Sequence, residues 1–345
     1  MSRKYLVLKG CAGLGNRLLT LSEAVGYAAA TGRCLHVDWS DGMFGPRGDN
    51  VFPRYFEVHG VPLEPSLEPV AAALAAGAST YPVGLSPDEL RGNIYDWFNT
   101  CGARFARLPI YRRNISRVAK GVAAAAAGLQ IWHRGPESTP GYFERISGVR
   151  DALMFPVGES MSADLTQDIV LYADLQPAAD RRALLGRLSL RPDVEAPLDT
   201  FARDNALGLH GIGVHIRATD RRPPHGYDRL MRTLERLLDA DPADRVFLST
   251  DNPAVQADII GRLGEERIVT WPKTGLPPES SSVGLHQWAL WHGADDIKEQ
   301  VLRDSIADMW LLSKCRTLYW QGNSSFSLLS AMIHRAPAAV RDWLV

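Results

Sequence analysis

The chain has 345 residues, 46% hydrophobic and 22% charged, which is long for a single core, so two domains are expected. Its 38 basic and 39 acidic residues leave a net charge of −1, which removes any global electrostatic reason to bind nucleic acid. Four scattered cysteines (Cys11, Cys34, Cys101, Cys315) form no C-x-x-C or zinc spacing, and no apolar run approaches membrane-spanning length, so a reducing, cytoplasmic setting is expected.

Tyr5 to Leu8 reads as a first strand, followed at once by Gly10-Cys-Ala-Gly13-Leu-Gly15-Asn16-Arg17. Leu18, Leu21, Val25 and Ala28 recur at helical spacing, predicting a helix to Thr31 that Gly32 stops. Cys34 to Trp39 is the second strand and completes a βαβ unit. Glycines between a strand and a helix let the backbone approach a ligand, and the helix N-terminus favours anions. Residues 40–60 read as a loop carrying Phe44, Phe52, Tyr55 and Phe56, which either shapes an acceptor site or packs its own aromatics. Alanine-rich helices are predicted at 68–77 and 118–128, and strands at Asn93–Phe98, Gln130–Arg134 and Asp168–Tyr172. His133 and Arg134 are further site candidates at one of these strand ends.

A polar helical stretch from Pro177 to Asp204 leads to a domain boundary placed at 200/201. After it, Gly211-Ile-Gly-Val-His-Ile-Arg-Ala-Thr-Asp220 begins as a buried parallel strand and ends in His215, Arg217, Thr219 and Asp220. Next come a helix (Tyr227 to Ala240), a strand ending in Thr250 and Asp251, a helix (253–263) and a strand (Arg267 to Trp271). A helix from Val301 to Lys314 contains Asp308, and a strand (Arg316 to Trp320) then enters Gly322-Asn-Ser-Ser-Phe-Ser327 and a final helix to His334. This alternation predicts a doubly wound parallel sheet, whose ligands sit outside the carboxyl ends of the strands. Parallel strands place His215, Arg217, Asp251 and the serine cluster on one edge of one sheet. Serine hydroxyls and open amides at a helix start, with an Arg fork nearby, suit a diphosphate.

The series G-V-H-x-R-x-T-D, S-T-D, an Asp-containing helix with L-S-K-C, and S-S-F-S resembles the fucosyltransferases of the nodulation-protein-Z and α1,6-fucosyltransferase group. The opening G-x-G-N-R-L with V-D-W is similar to its bacterial members, and the protein O-fucosyltransferases share part of the pattern. The resemblance covers residues 4–60 and 208–335. It implies a GT-B fold, with two Rossmann-like doubly wound domains facing a central cleft: 1–200 on the acceptor side, 201–345 holding the nucleotide sugar. It also implies an inverting, metal-independent transfer from GDP-fucose to a glycan, lipid-linked or small-molecule hydroxyl, with no metal and no cofactor besides the donor. By the same resemblance His215 and Asp308 contact the guanine and ribose, and Arg217 is the catalytic residue on the β-phosphate. Thr219, Asp251, Ser324, Ser325 and Ser327 complete the donor site, and Gly13, Gly15, Asn16 and Arg17 border it. Two positions depart from the family pattern: Ala218 replaces a second basic residue, and Asn252 replaces the second of two acids. Arg221 and Arg222 are candidate substitutes for the missing cation. Asp38, Asp41 and Glu57 are candidate general bases by position alone.

The main rival is an NAD(P) oxidoreductase that uses Gly10 to Gly15 for the pyrophosphate and Asp38 for a ribose. A catalytically inactive nucleotide-sugar-binding protein is the second rival, kept open by Ala218. No G-x-S-x-G elbow of a serine hydrolase is present.

Overall fold

The computed structural model describes residues 3–10, 12–81, 84–92, 165–173, 186–219, 223, 225–273 and 284–345. The strands expected at 93–98 and 130–134, the helix at 118–128, and Cys11, Cys101, His133, Arg134, Asp220, Arg221 and Arg222 lie outside them. The chain divides into two compact units, Met1–Ala12 with Asn16–Ser189, and Gly13–Gly15 with Leu190–Val345.

In the first unit β1 (Tyr5–Lys9) and β2 (Cys34–Asp38) are buried at every position, as expected of parallel strands covered on both faces. Helix α1 (Leu14–Thr31) joins them and starts four residues before the predicted Leu18, so Gly15, Asn16 and Arg17 form its first turn. Gly32, at φ +65°, ends it, in a conformation that costs a glycine little.

The predicted loop at 40–60 is partly structured. It contains a 3₁₀ turn (Phe52–Arg54) and β3 (Phe56–Val58). Its aromatics pack inward: Trp39 meets Phe52 and Phe56 edge-on, Phe52 stacks on Phe56 at 5.6 Å, and Phe44 and Tyr55 are buried. These rings fill a core and do not line an acceptor surface.

Helix α2 (Glu68–Ala75), β4 (Thr80–Tyr81) and α3 (Pro87–Arg91) follow, and α3 opens on a capping box between Ser86 and Glu89. β5 (Ile169–Tyr172) completes a parallel sheet of order β2-β1-β5-β4. β6 (Leu188–Leu190) pairs with β3 and carries the chain across the unit boundary, which falls at Ser189/Leu190.

The second unit contains α4 (Pro192–Asp204), α5 (Leu207–His210), β7 (Gly211–Ile216), α6 (Asp228–Ala240), β8 (Arg245–Thr250) and α7 (Pro253–Leu263). β9 (Ile268–Val269) is followed by α8 (Leu285–His292), α9 (Asp295–Lys314), β10 (Thr317–Trp320), α10 (Ser325–Ile333) and β11 (Val340–Asp342). Helix α8, the first turns of α9 and the edge strand β11 were not anticipated, and β9 is shorter than predicted.

All pairings in this sheet are parallel, in the order β11-β10-β7-β8-β9. Along β7, Ile212, Val214 and Ile216 enter a core with Leu230, Met231 and Leu234 of α6 and Ile259 of α7. Residues at even spacing share a sheet face, so Gly213 and His215 lie on the other face. There Gly213 lets α9 approach closely, since a Cβ at this position would sit 3.1 Å from the Cys315 side chain. Helices on both faces of β7 make this unit doubly wound. The fold class is α/β with parallel sheets, as the alternation predicts. Among the described residues no helix is long and apolar enough to cross a membrane.

Candidate functional site

The carboxyl ends of β7, β8, β9 and β10 bring most of the expected second-half residues together. Parallel register sets His215 of β7 beside Ser249 of β8, on the face covered by α9. The Ser249 hydroxyl donates to Asp308 Oδ2 of α9 at 2.8 Å. The Lys273 ammonium, just beyond β9, lies 2.7 Å from the same oxygen and donates to the Thr250 carbonyl at 2.8 Å. Asp308 is therefore buried and ion-paired, not solvated. Burial pushes its carboxyl above the usual range, an effect that Lys273 and Ser249 only partly offset.

Past β7 the main chain is gripped from both sides. The Arg217 N–H donates to Gln321 Oε1 at 2.8 Å, and Gln321 Nε2 donates to Asn323 Oδ1 at 2.7 Å. On the other side Asp251 accepts from the Ala218 N–H at 2.8 Å and from the Thr219 hydroxyl at 2.5 Å. Asp251 and Thr219 thus shape the loop that carries Arg217. The Arg217 side chain is half-buried and runs past Gly284, where a Cβ would fall 2.8 Å from its guanidinium. Asn252, in place of a second acid, caps α7 by accepting from the Ala254 and Val255 amides.

The serine cluster divides into different tasks. The Ser327 hydroxyl accepts from the Gln321 N–H and donates to the Gln321 carbonyl, so it braces the turn from inside. Ser324 occupies the N-cap of α10 but its hydroxyl makes no capping bond. That hydroxyl is buried without a hydrogen-bond partner, as are His215 Nδ1 and Asp308 Oδ1. Unsatisfied buried polar atoms are costly, and these three gather around one sheet edge, where a water or a ligand would supply the missing partners. Ser325, half-buried, opens α10. The His215 ring lies 5.0 Å from that of Phe326. Burial, reinforced by Arg217 and Lys273, pulls its pKa down to about 3, so it is a neutral hydrogen-bonding group at neutral pH.

Gly13 and Gly15 belong to this unit by their contacts. A Cβ at Gly15 would lie 2.6 Å from the Phe326 backbone nitrogen, so this position requires glycine, while one at Gly13 would lie 2.9 Å from the His286 ring and displace it.

Within the first unit the expected residues have other partners. Arg17 is buried beside Asp41 at 2.5 Å, donates to the Ala12 carbonyl at 2.8 Å, and stacks over Trp39 and Phe44. Its side chain is turned into the unit's interior, while Asn16 is half-buried. Asp38 is paired with Lys9 at 2.6 Å, both side chains being nearly fully buried. Burial alone would raise the Asp38 carboxyl, but Lys9 and the Ser40 amide outweigh it and hold it below the usual range. A carboxylate committed in this way is poorly placed to hold a dinucleotide ribose, which removes the main support for the oxidoreductase reading. It is equally unsuited to act as a general base, as is Asp41 beside Arg17. Of the three candidates only Glu57 remains half-exposed.

Lys273, Gln321 and Ser249 were missed by sequence reasoning. Lys273 follows a short strand in a loop with no periodicity, and Gln321 looks like an ordinary residue before a glycine. The signal available for each was only its position one to four residues from a strand end.

No protein-family model and no curated protein sequence matches the chain. Comparison with solved structures does. A structure of NodZ α1,6-fucosyltransferase soaked with GDP-fucose aligns over 96% of this chain and 93% of its own, with a TM-score of 0.57 and 17% identity. The chain shares the fold of that fucosyltransferase. Selenomethionine NodZ from Bradyrhizobium aligns over 96% and 92% with a TM-score of 0.56 and 16% identity. NodZ co-crystallised with GDP aligns over the same shares with a TM-score of 0.53 and 16% identity.

Proposed function

We propose that the chain is an inverting, metal-independent glycosyltransferase that moves fucose from GDP-fucose to a hydroxyl of a glycan, lipid-linked or small-molecule acceptor. The observation that carries the reading is the convergence of Arg217 with three unsatisfied buried polar atoms, on His215, Asp308 and Ser324, at one sheet edge beside the start of α10. The shared fold with NodZ, whose structures were prepared with GDP-fucose and GDP, supports the choice of donor.

In this reading residues 201–345 hold the donor and residues 1–200 serve the acceptor. Neutral His215 and the Asp308 carboxylate, its charge balanced by Lys273, bind the nucleoside. Arg217 meets the β-phosphate, with Ser324, Ser325 and the α10 amides completing the anion site. Thr219, Asp251 and Ser327 act by fixing the loops that carry these groups. Gly13 and Gly15 give the backbone room at the start of α10. Arg17 holds its own turn from within by donating to the Ala12 carbonyl.

Displacement at the anomeric carbon builds negative charge on the departing diphosphate. A cation aimed there gains strength in the transition state, so Arg217 performs the charge stabilisation that a metal supplies in other enzymes. The buried reduced thiols of Cys34 and Cys315 support a cytoplasmic setting.

The test is incubation with GDP-fucose and an acceptor panel in the presence of a chelator, following GDP release and the anomeric configuration of the product. GDP release with inversion is expected. Tight GDP-fucose binding without turnover would instead establish the inactive binding protein that Ala218 keeps in play.

A further inference from the structure

The geometry points to a metal-binding site at the opposite edge of the second unit's sheet, formed by His210, Asp241 and Asp244. His210 ends α5 and Asp244 directly precedes β8. The register pairs Gly211 with Arg245, so these two residues are neighbours across the strand starts. Asp241 directly follows α6 and precedes Asp244 by three residues. One ligand atom from each residue lies within 4.8 Å of the other two. His210 Nδ1 is 3.7 Å from Asp244 Oδ1 and 4.0 Å from Asp241 Oδ2.

These separations are too long for hydrogen bonds. The two His210 separations exceed by a few tenths of an ångström the spacing of roughly 3.4 Å that tetrahedral bonds of about 2.1 Å require, and the two carboxylates lie within 4.8 Å of each other. The Asp244 side chain is only 2% exposed, yet its Oδ1 and His210 Nδ1 have no hydrogen-bond partner. The remaining oxygens hold the carboxylates in place: Asp244 Oδ2 takes the Arg316 guanidinium at 2.6 Å, and Asp241 Oδ1 takes the Ala243 N–H at 2.9 Å. Such outer contacts orient ligands before the ion arrives. The His210 Nδ1 and Asp244 Oδ1 atoms are covered, so an ion enters past the part-exposed Asp241 carboxylate.

One imidazole with two carboxylates selects a transition ion such as zinc over magnesium, which takes oxygen ligands and keeps several waters. With three protein ligands, water fills the fourth position. At about 3.3 Å per residue, six-residue β7 keeps this site far from Arg217, so the ion ties strand starts together and takes no part in transfer.

The experiment uses the full chain, stripped with chelator and titrated with Zn²⁺ by calorimetry, with Co²⁺ as an optical probe. One Zn²⁺ per chain at micromolar free metal, a rise in melting temperature and a visible Co²⁺ band are expected. His210→Ala, at a half-exposed position, should weaken binding by at least about tenfold while leaving the chain folded. No stoichiometric binding, or undiminished binding by both His210→Ala and Asp241→Asn, would overturn the assignment.

Discussion

Lys273 Nζ sits 2.7 Å from Asp308 Oδ2 with both side chains only 7% exposed, so a loop residue after β9 neutralises a helix carboxylate on the site's inner wall. Removing one partner of such a pair strands a buried charge. Lys273→Met should therefore destabilise the protein by about 3–5 kcal/mol in urea denaturation. Adding Asp308→Asn to that variant should recover part of the loss. Strictly additive losses would show that the two groups are not coupled.

Arg217 has its backbone fixed by Gln321 while its guanidinium remains half-exposed. Arg217→Ala should lower transfer by about 10²–10³-fold with circular dichroism and melting temperature unchanged. Ordinary turnover in this variant would remove Arg217 from the chemistry.

Asp251 receives both the Ala218 amide and the Thr219 hydroxyl. Asp251→Ala removes the acceptor of both hydrogen bonds and should cost about 1–3 kcal/mol of stability. Urea denaturation reads the loss, and Asp251→Asn, which keeps one acceptor oxygen, should lose less than Asp251→Ala. An equal loss in both variants would show that these two hydrogen bonds do not set the cost.

Three buried histidines, His36, His215 and His334, have pKa values pulled down, each chiefly by burial. Below the unfolded-state value near 6.5 the unfolded chain binds protons that the folded chain refuses, so stability falls as pH drops. For His215, lowered to about 3, the window runs from about 6.5 down to 3. Its share between pH 7.5 and 5.5 is about 1.4 kcal/mol. Asp308, raised in the fold chiefly by burial, opposes this trend, because the folded chain takes up its proton first as pH falls. The informative quantity is accordingly the difference between wild type and His215→Gln. A slope identical in both would mean that His215 protonates in the folded state.

The sheet edge was legible because strands leave a strong record. The β7 run Gly211–Ile216 and the polar groups after it fall where expected, as does Asp251, and the serines gather at the start of α10. What was not legible depends on partners distant in sequence. The Gly13-x-Gly15-Asn-Arg sequence gives no sign that Arg17 turns inward to Asp41, 24 residues away. The aromatics between 44 and 56 show no period that separates a binding loop from a small core. Lys273 meets Asp308 across 35 residues, and no local pattern announces such a pairing. Similarly, β11 is three residues long, too short to show alternation.

The most direct test of the central claim is the thermal shift with GDP, UDP, ADP and NAD⁺, each with and without Mg²⁺, on wild type and Arg217→Ala. A ligand at 100 times its dissociation constant adds about 2.7 kcal/mol. The account predicts stabilisation by GDP alone, indifferent to magnesium and reduced in Arg217→Ala. Stabilisation by NAD⁺ or UDP in place of GDP, or a GDP shift that requires magnesium, would contradict it.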